Sequence, residues 1–165
     1  MKKAFVFDFD DTLATTGCVV LVRSQYDGKV VDKLTPAEYN YKSVCGLPDG
    51  QFFDFSQFMD EKYIRDGQST FLMDLAKEVH DEDHDVYVLT ARSNAASEAI
   101  NLFLMDYGIC AKHVHCVGDS KGSIAKEKGK ILFALMQNYD RIYFYDDHAE
   151  NVKAAEEIGC KSYKV

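Results

Sequence analysis

Ala4-Phe5-Val6-Phe7-Asp8-Phe9-Asp10-Asp11-Thr12 is the segment from which the architecture of this chain unfolds. Its first four residues are apolar, aromatic or branched, with none of the polar alternation of a strand that has one wet face. They are expected to form a central strand covered on both sides. The run then stops abruptly on acid, so the end of a buried strand carries two carboxylates one residue apart.

Toward the C-terminus the pattern becomes a regular alternation. A helix is predicted from Ser69 to about His80, then an acidic loop Asp81-Glu82-Asp83 and a strand Val86 to Leu89. A helix from about Ala95 to Tyr107, a strand His113 to Val117 and a helix from about Ser123 to Gln137 follow. A strand Ile142 to Tyr145, a helix Ala149 to Ile158 and an edge segment Lys161 to Tyr163 complete the series. Crossovers this long demand a mostly parallel sheet with helices on both faces, a three-layer Rossmann-like α/β fold.

In such a fold ligands bind beyond the carboxyl ends of the strands. At those ends stand Asp8, Asp10 and Thr12 after the first strand, Thr90 after the second, and Asp146 and Asp147 after the fourth. Carboxylates gathered at one end of a sheet repel one another and lose water, so they need a compensating cation. All-oxygen ligation selects a hard ion such as Mg²⁺, which keeps several waters and also binds substrate phosphate.

The segment of about residues 13–68 breaks the alternation. Cys18 to Arg23 and Lys29 to Leu34 flank Asp27-Gly28 and read as a hairpin with a tight turn. Thr35-Pro36-Ala37-Glu38 has an N-cap threonine, proline at the first helical position and glutamate at the third, which starts a short helix. Leu47-Pro48-Asp49-Gly50 is a turn, and the aromatic stretch Phe52 to Phe58 leads into a helix ending near Gly67. We expect a single domain, residues 1–165, with this flap or small cap inserted after the first strand.

Composition narrows the function. The formal net charge is −8, from 19 Lys+Arg against 27 Asp+Glu, the wrong sign for tracking long nucleic-acid backbones. A metal-loaded spot can still handle phosphate, because the ion inverts the local field. The five cysteines include no C-x-x-C pair and fit reduced thiols in a cytoplasmic protein. The first apolar run is too short for a signal peptide or a membrane span.

Asp8-Phe9-Asp10-Asp11-Thr12 resembles the D-x-D-x-T signature of the haloacid dehalogenase (HAD) superfamily. Leu89-Thr90-Ala91-Arg92 resembles its second motif, a lysine in the helix after the third strand its third, and Tyr145-Asp146-Asp147 its acidic fourth. The resemblance covers nearly the whole chain, loosely between about residues 13 and 68. It extends to the compact phosphatase domains of phage-type polynucleotide kinase-phosphatases and to small nucleotidases, through Leu89-Thr90-Ala91-Arg92 and Tyr145-Asp146-Asp147.

The resemblance implies a phosphatase in which Asp8 attacks phosphorus to form an aspartyl-phosphate. Asp10 is then the general acid and base, its pKa raised relative to that of Asp8. Mg²⁺ is held by Asp8, the backbone carbonyl of Asp10 and Asp146, with Asp147 acting directly or through water. Thr90 donates to phosphate oxygens, while Thr12 supports the loop. Lys126, Lys128 and Lys130 compete for the third motif, with Lys121 further upstream. Lys128 is preferred because it stands just before Gly129 and the apolar Ile131-Leu132, where the first helical turn faces the strand ends. Arg92 is either a phosphate clamp or a surface arginine. The substrate is a phosphorylated small molecule, a nucleotide or a nucleic-acid end.

Other clusters are set aside. His113-Val114-His115-Cys116 lacks a fourth ligand for zinc, and His148 reads as a solvated or supporting group. Tyr39, Tyr41, Phe52, Phe53, Phe55 and Phe58 either offer a stacking face for a base or pack the insertion onto the core. A different functional class, a non-catalytic phospho-aspartate switch of the response-regulator receiver type, shares the residue types. Its acidic pair follows the first strand and its phosphorylated aspartate a later one, whereas here D-x-D comes first.

Overall fold

The computed structural model describes residues 1–165. The first strand, β1 (Lys3–Phe7), runs through the middle of a five-stranded sheet. Next come the short β2 (Ala14–Thr15), β3 (Val20–Ser24), β4 (Val30–Leu34), α1 (Pro36–Cys45), β5 (Gln51–Asp54), a 3-10 turn (Ser56–Met59), α2 (Glu61–Arg65) and the short β6 (Gln68–Ser69). The regular series is α3 (Phe71–Asp81), β7 (Asp85–Thr90), a 3-10 turn (Asn94–Ala96), α4 (Ser97–Asp106), β8 (His113–Cys116), α5 (Ile124–Met136), β9 (Arg141–Asp146), α6 (Ala149–Glu157) and β10 (Lys161–Lys164).

The sheet order is β10-β9-β1-β7-β8, with every pairing parallel. On one face β1 and β7 present Phe7, Val86 and Val88 to α3 and α4, which bury Leu72, Ala76, Ile100 and Phe103 against them. On the other face Ala4, Val6, Leu89 and Phe144 meet Leu132 of α5 and Ala155 of α6. The continuous apolar run of β1 is explained by this two-sided cover. From β1 the chain winds first toward β7 and β8, then crosses back to β9 and β10. The carboxyl end of β1 is therefore the topological switch point, where such sheets open a crevice.

The insertion departs from expectation in two places. Its hairpin exists, β3 pairing antiparallel with β4, but the reversal takes Gln25 to Lys29 instead of a two-residue Asp-Gly turn. Gly28, at φ 71°, supplies the left-handed residue that closes it. The second departure is Phe52-Phe53, which belongs to a strand: β5 pairs with the free edge of β3 to make a three-stranded sheet, β4-β3-β5. Helix α2 begins only at Glu61, with Asp60 as N-cap. The capping box at Thr35 and Glu38 forms as expected.

A small core of Val20, Val22 and Leu34 holds this sheet, with Tyr39, Leu47, Phe53 and Phe58 packed on it. Tyr39 meets Phe53 and Phe55 edge-on at 5.0 and 5.1 Å. Packing thus accounts for much of the aromatic cluster, while Tyr41 stays 75 % exposed.

Candidate active site

The site grows from register. Phe7 lies opposite Val88 on one side and Tyr145 on the other, so Asp8 and Asp146 emerge from adjacent strands at one level, with Thr90 one residue beyond on the third. After Asp8 the backbone turns sharply. Asp11 takes a left-handed φ of 59°, tolerable for an aspartate, and the amides of Thr12, Leu13 and Ala14 all reach back to the carbonyl of Phe9. That turn returns the Thr12 hydroxyl to Asp8 Oδ2 at 3.3 Å, the loop-supporting position expected for it.

Lys128 rises from the second turn of α5, one turn later than expected, and is 1 % exposed. Its Nζ donates to Asp8 Oδ1 at 2.8 Å and to Asp146 Oδ2 at 2.7 Å. Lys130 instead pairs with Glu127 on the helix surface. Burial alone would lower the Lys128 pKa, but the charges of Asp8 and Asp146 outweigh it and hold the ammonium above its usual value.

Asp8 is pushed well above the carboxylate range, first by burial and also by the charge of Asp146, with Lys128 opposing both. The physical reason is a shortage of positive charge. One ligand oxygen from each of Asp8, Asp146 and Asp147 lies within 4.8 Å of the others, and the single ammonium of Lys128 pairs with only Asp8 and Asp146. An octahedral ion with bonds of about 2.1 Å needs oxygen separations of roughly 3 to 4 Å, so this donor set fits Mg²⁺ with small adjustments.

Asp146 is fixed by several partners. His148 N–H donates to Oδ1 at 2.8 Å, and Asn151 Nδ2 joins Lys128 on Oδ2 at 3.0 Å. Asn151, 8 % exposed on the first turn of α6, was missed from sequence, although a polar residue one turn beyond the acidic pair was the available signal.

Thr90 is fully buried, and its Oγ1 accepts the Arg92 amide at 3.2 Å, which leaves the hydroxyl proton free to donate. Gly118 brings the loop after β8 against this segment. A Cβ there would clash with the Ala91 carbonyl and lie 2.7 Å from the Arg92 carbonyl carbon.

Arg92 is not the surface arginine of one expectation: it is 5 % exposed and turned inward. Nε and Nη2 bond Asp10 Oδ2 and Oδ1 at 2.8 and 2.6 Å. Nη1 donates to the Phe58 carbonyl at 2.6 Å, and Nη2 also donates to Thr16 Oγ1 at 3.1 Å. The ring faces of Phe9 and Phe58 lie 5.4 and 5.1 Å from the guanidinium carbon. Every donor edge is engaged within the protein, and the guanidinium fork holds both Asp10 oxygens. The Asp10 side chain keeps 38 % of its surface exposed and lies outside the metal-ligating group.

Asp8, Asp146 and Asp147 are the one group of metal-ligand spacing; His113 and His115 form no such group. All five cysteines are free, and no helix is long and apolar enough to cross a membrane.

No protein-family model matches the sequence, and no curated protein matches it. Solved structures do. A chain of the Pnkp1/Rnl/Hen1 RNA repair complex is 17 % identical at a TM-score of 0.58, the match covering 100 % of this chain and 42 % of that one. This chain thus spans less than half of that relative's length. A HAD family enzyme from Bacteroides thetaiotaomicron, in complex with magnesium and inorganic phosphate, is 15 % identical at a TM-score of 0.52 over 99 % of this chain and 94 % of that one. A HAD-superfamily hydrolase from Geobacter sulfurreducens is 12 % identical at a TM-score of 0.57, covering 99 % and 86 %. At these identities the likeness is one of architecture, and the fold of this chain is that of the haloacid dehalogenase superfamily.

Proposed function

We propose that the chain is a Mg²⁺-dependent phosphatase that hydrolyses a phosphomonoester through an aspartyl-phosphate on Asp8. The observation that carries this is the buried Asp8–Lys128–Asp146 ion pair, with Asp147 beside it and Thr90 on the adjacent strand end. A merely structural site would not be expected to bury two carboxylates against one ammonium with a third, half-buried, beside them.

In the first step an Asp8 oxygen attacks phosphorus, and the bond to the leaving oxygen breaks. Lys128 holds Asp8 in one orientation and Thr90 donates its free hydroxyl proton toward a phosphoryl oxygen. Asp10, clamped by Arg92 with one flank exposed, gives its proton to the leaving oxygen. In the second step water attacks phosphorus, Asp10 takes a proton from it, and the bond to Asp8 breaks to release inorganic phosphate. Mg²⁺, held by Asp8, the Asp10 main-chain carbonyl, Asp146 and Asp147, would supply the positive charge that offsets the repulsion between these carboxylates and the phosphoryl group.

The substrate class we favour is a nucleotide or a nucleic-acid end phosphate. Support comes from the small insertion, which builds a three-stranded sheet and no large closed cap, and from the likeness to a chain of an RNA repair complex. The free cysteines are in keeping with a reducing, cytoplasmic setting.

Hydrolysis of an aryl phosphate with Mg²⁺, with EDTA, and by Asp8→Asn tests the catalytic claim. Turnover that needs both metal and Asp8 is expected. Equal turnover by folded Asp8→Asn would end the covalent mechanism, and stable labelling of Asp8 by acetyl phosphate without turnover would indicate a switch. A screen of 3′- and 5′-phosphorylated oligonucleotides against sugar phosphates then tests the substrate class.

A further inference from the structure

One face of the parallel sheet is only half roofed. Helices α3 and α4 cover it over β1, β7 and β8, while α5 and α6 pack on the opposite face. Over β9 and β10 the first face carries Arg141, Tyr143 and Tyr145 from one strand and Lys161 and Tyr163 from the next, aligned as Lys161 opposite Tyr143 and Tyr163 opposite Tyr145. Alternation sends Ile142 and Phe144 into the other layer.

The rings are arranged in rows across the strands. Phe7, Tyr145 and Tyr163 stack with centroids 5.0 and 5.1 Å apart and planes within 12° and 19° of parallel. Phe5 and Tyr143 stack at 5.0 Å and 20° in the row below. The upper row ends at the sheet edge on Tyr163, which is 37 % exposed and has no ring beyond it. Lys161 Nζ lies 5.6 Å from the Tyr143 ring centroid and 5.9 Å from that of Tyr163. Register sets Lys3 opposite Arg141 on this same face, and the nearby positive charge of Arg141, Lys3 and Lys161 holds Tyr143 below the usual phenol value. Lys3, Arg141 and Lys161 thus share one face with the ladder of rings, in a chain of net charge −8.

We propose that this face binds single-stranded nucleic acid, a base continuing the ring stack at Tyr163 while phosphates meet Lys161, Arg141 and Lys3. The chemistry singles out this occupant. An open stack of flat rings is extended by another flat ring, and every base presents one. The cations select a partner that carries anions beside its rings. A second copy docking by two-fold symmetry would set these cations against their own counterparts, which is repulsive. The acidic remainder of the surface keeps the footprint to about two or three nucleotides, the reach of a small sheet platform. Tyr145 is followed directly by Asp146 and Asp147, so the platform leads up to the acidic cluster. The inference goes beyond the proposed phosphatase activity and stands or falls separately from it.

The test is fluorescence anisotropy with a labelled single-stranded oligonucleotide of about 12 nucleotides that carries no terminal phosphate, so that it offers the catalytic site nothing to hydrolyse. Saturable, salt-sensitive binding is expected. Tyr163→Ala and the shape-preserving Tyr163→Leu should each weaken it roughly five- to hundredfold. Lys161→Gln should reduce the slope of log affinity against log salt by about one. All three should hydrolyse aryl phosphate at the unaltered rate. Unchanged affinity in these variants, no binding at low salt, equal binding of poly-glutamate, or a self-association that they abolish would each overturn the proposal. Absence of aryl phosphatase activity in the unaltered protein, together with Tyr163-dependent binding, would sink the catalytic claim alone.

Discussion

Replacing Lys128 by methionine isolates the electrostatic frame of the site. Methionine keeps an unbranched stem in a position that is 1 % exposed, so packing changes little while the ammonium disappears. Asp8 and Asp146 lose contacts of 2.8 and 2.7 Å and remain buried beside Asp147. Removing one member of a buried ion pair costs about 3–5 kcal/mol. In a chain of 165 residues each kcal/mol lowers Tm by about 2–4 °C, so the fall in EDTA should be about 6–20 °C. The comparison is thermal unfolding of the unaltered protein, Lys128→Met, Asp8→Asn and the double variant. If stranded charge is the cause, Asp8→Asn should recover part of the loss, with a coupling energy of about 1–3 kcal/mol. A Lys128→Met variant melting within about 2 °C of the parent, or strictly additive losses, would refute the ion-pair geometry.

Arg92→Lys keeps a charge but not the fork that holds both Asp10 oxygens, so kcat should fall on the order of a hundredfold with KM little changed. A rise in KM alone would return Arg92 to substrate binding. Added Mg²⁺ should raise the Tm of the parent in a concentration-dependent way and leave that of Asp146→Asn nearly unmoved. Equal shifts in both would place the ion elsewhere. His115 is lowered to about 4, first by burial and then by His113, whose ring centroid is 4.4 Å away. Between about pH 6.5 and 4 the unfolded chain therefore binds the extra proton and stability declines as pH falls, by about 1–2 kcal/mol after allowance for its partial exposure. His115→Gln should remove that share of the decline in urea unfolding, and an identical pH slope would disprove it.

The strand ends were readable because they depend on local pattern alone. An apolar run closing on acid marks the carboxyl edge of a parallel sheet wherever it occurs, so Asp8, Thr90 and Asp146 could be placed together before any contact was known. Lys128 was chosen for its place just before Gly129 and the apolar Ile131-Leu132, and it is the lysine of that helix that the structure buries. What escaped depends on distant segments. Arg92 turns inward only because Asp10, Thr16 and Phe58, from three other stretches of chain, converge to satisfy it, and no local signal marks an arginine with that many acceptors waiting. Phe52-Phe53 extends as a strand because β3 offers a free edge, whereas a short aromatic run alone suits helix or strand equally.

The sharing of Arg92 ties access to competence. The same guanidinium that aligns Asp10 is anchored to the Phe58 carbonyl and to the Thr16 hydroxyl, both belonging to the insertion. An insertion that lifts away from the sheet must break these bonds, and a buried guanidinium that loses two acceptors cannot keep its place. The seating of the insertion and the orientation of Asp10 thus share one guanidinium. Mutations far out on the insertion that change its seating should register as losses in turnover before they register as losses in affinity.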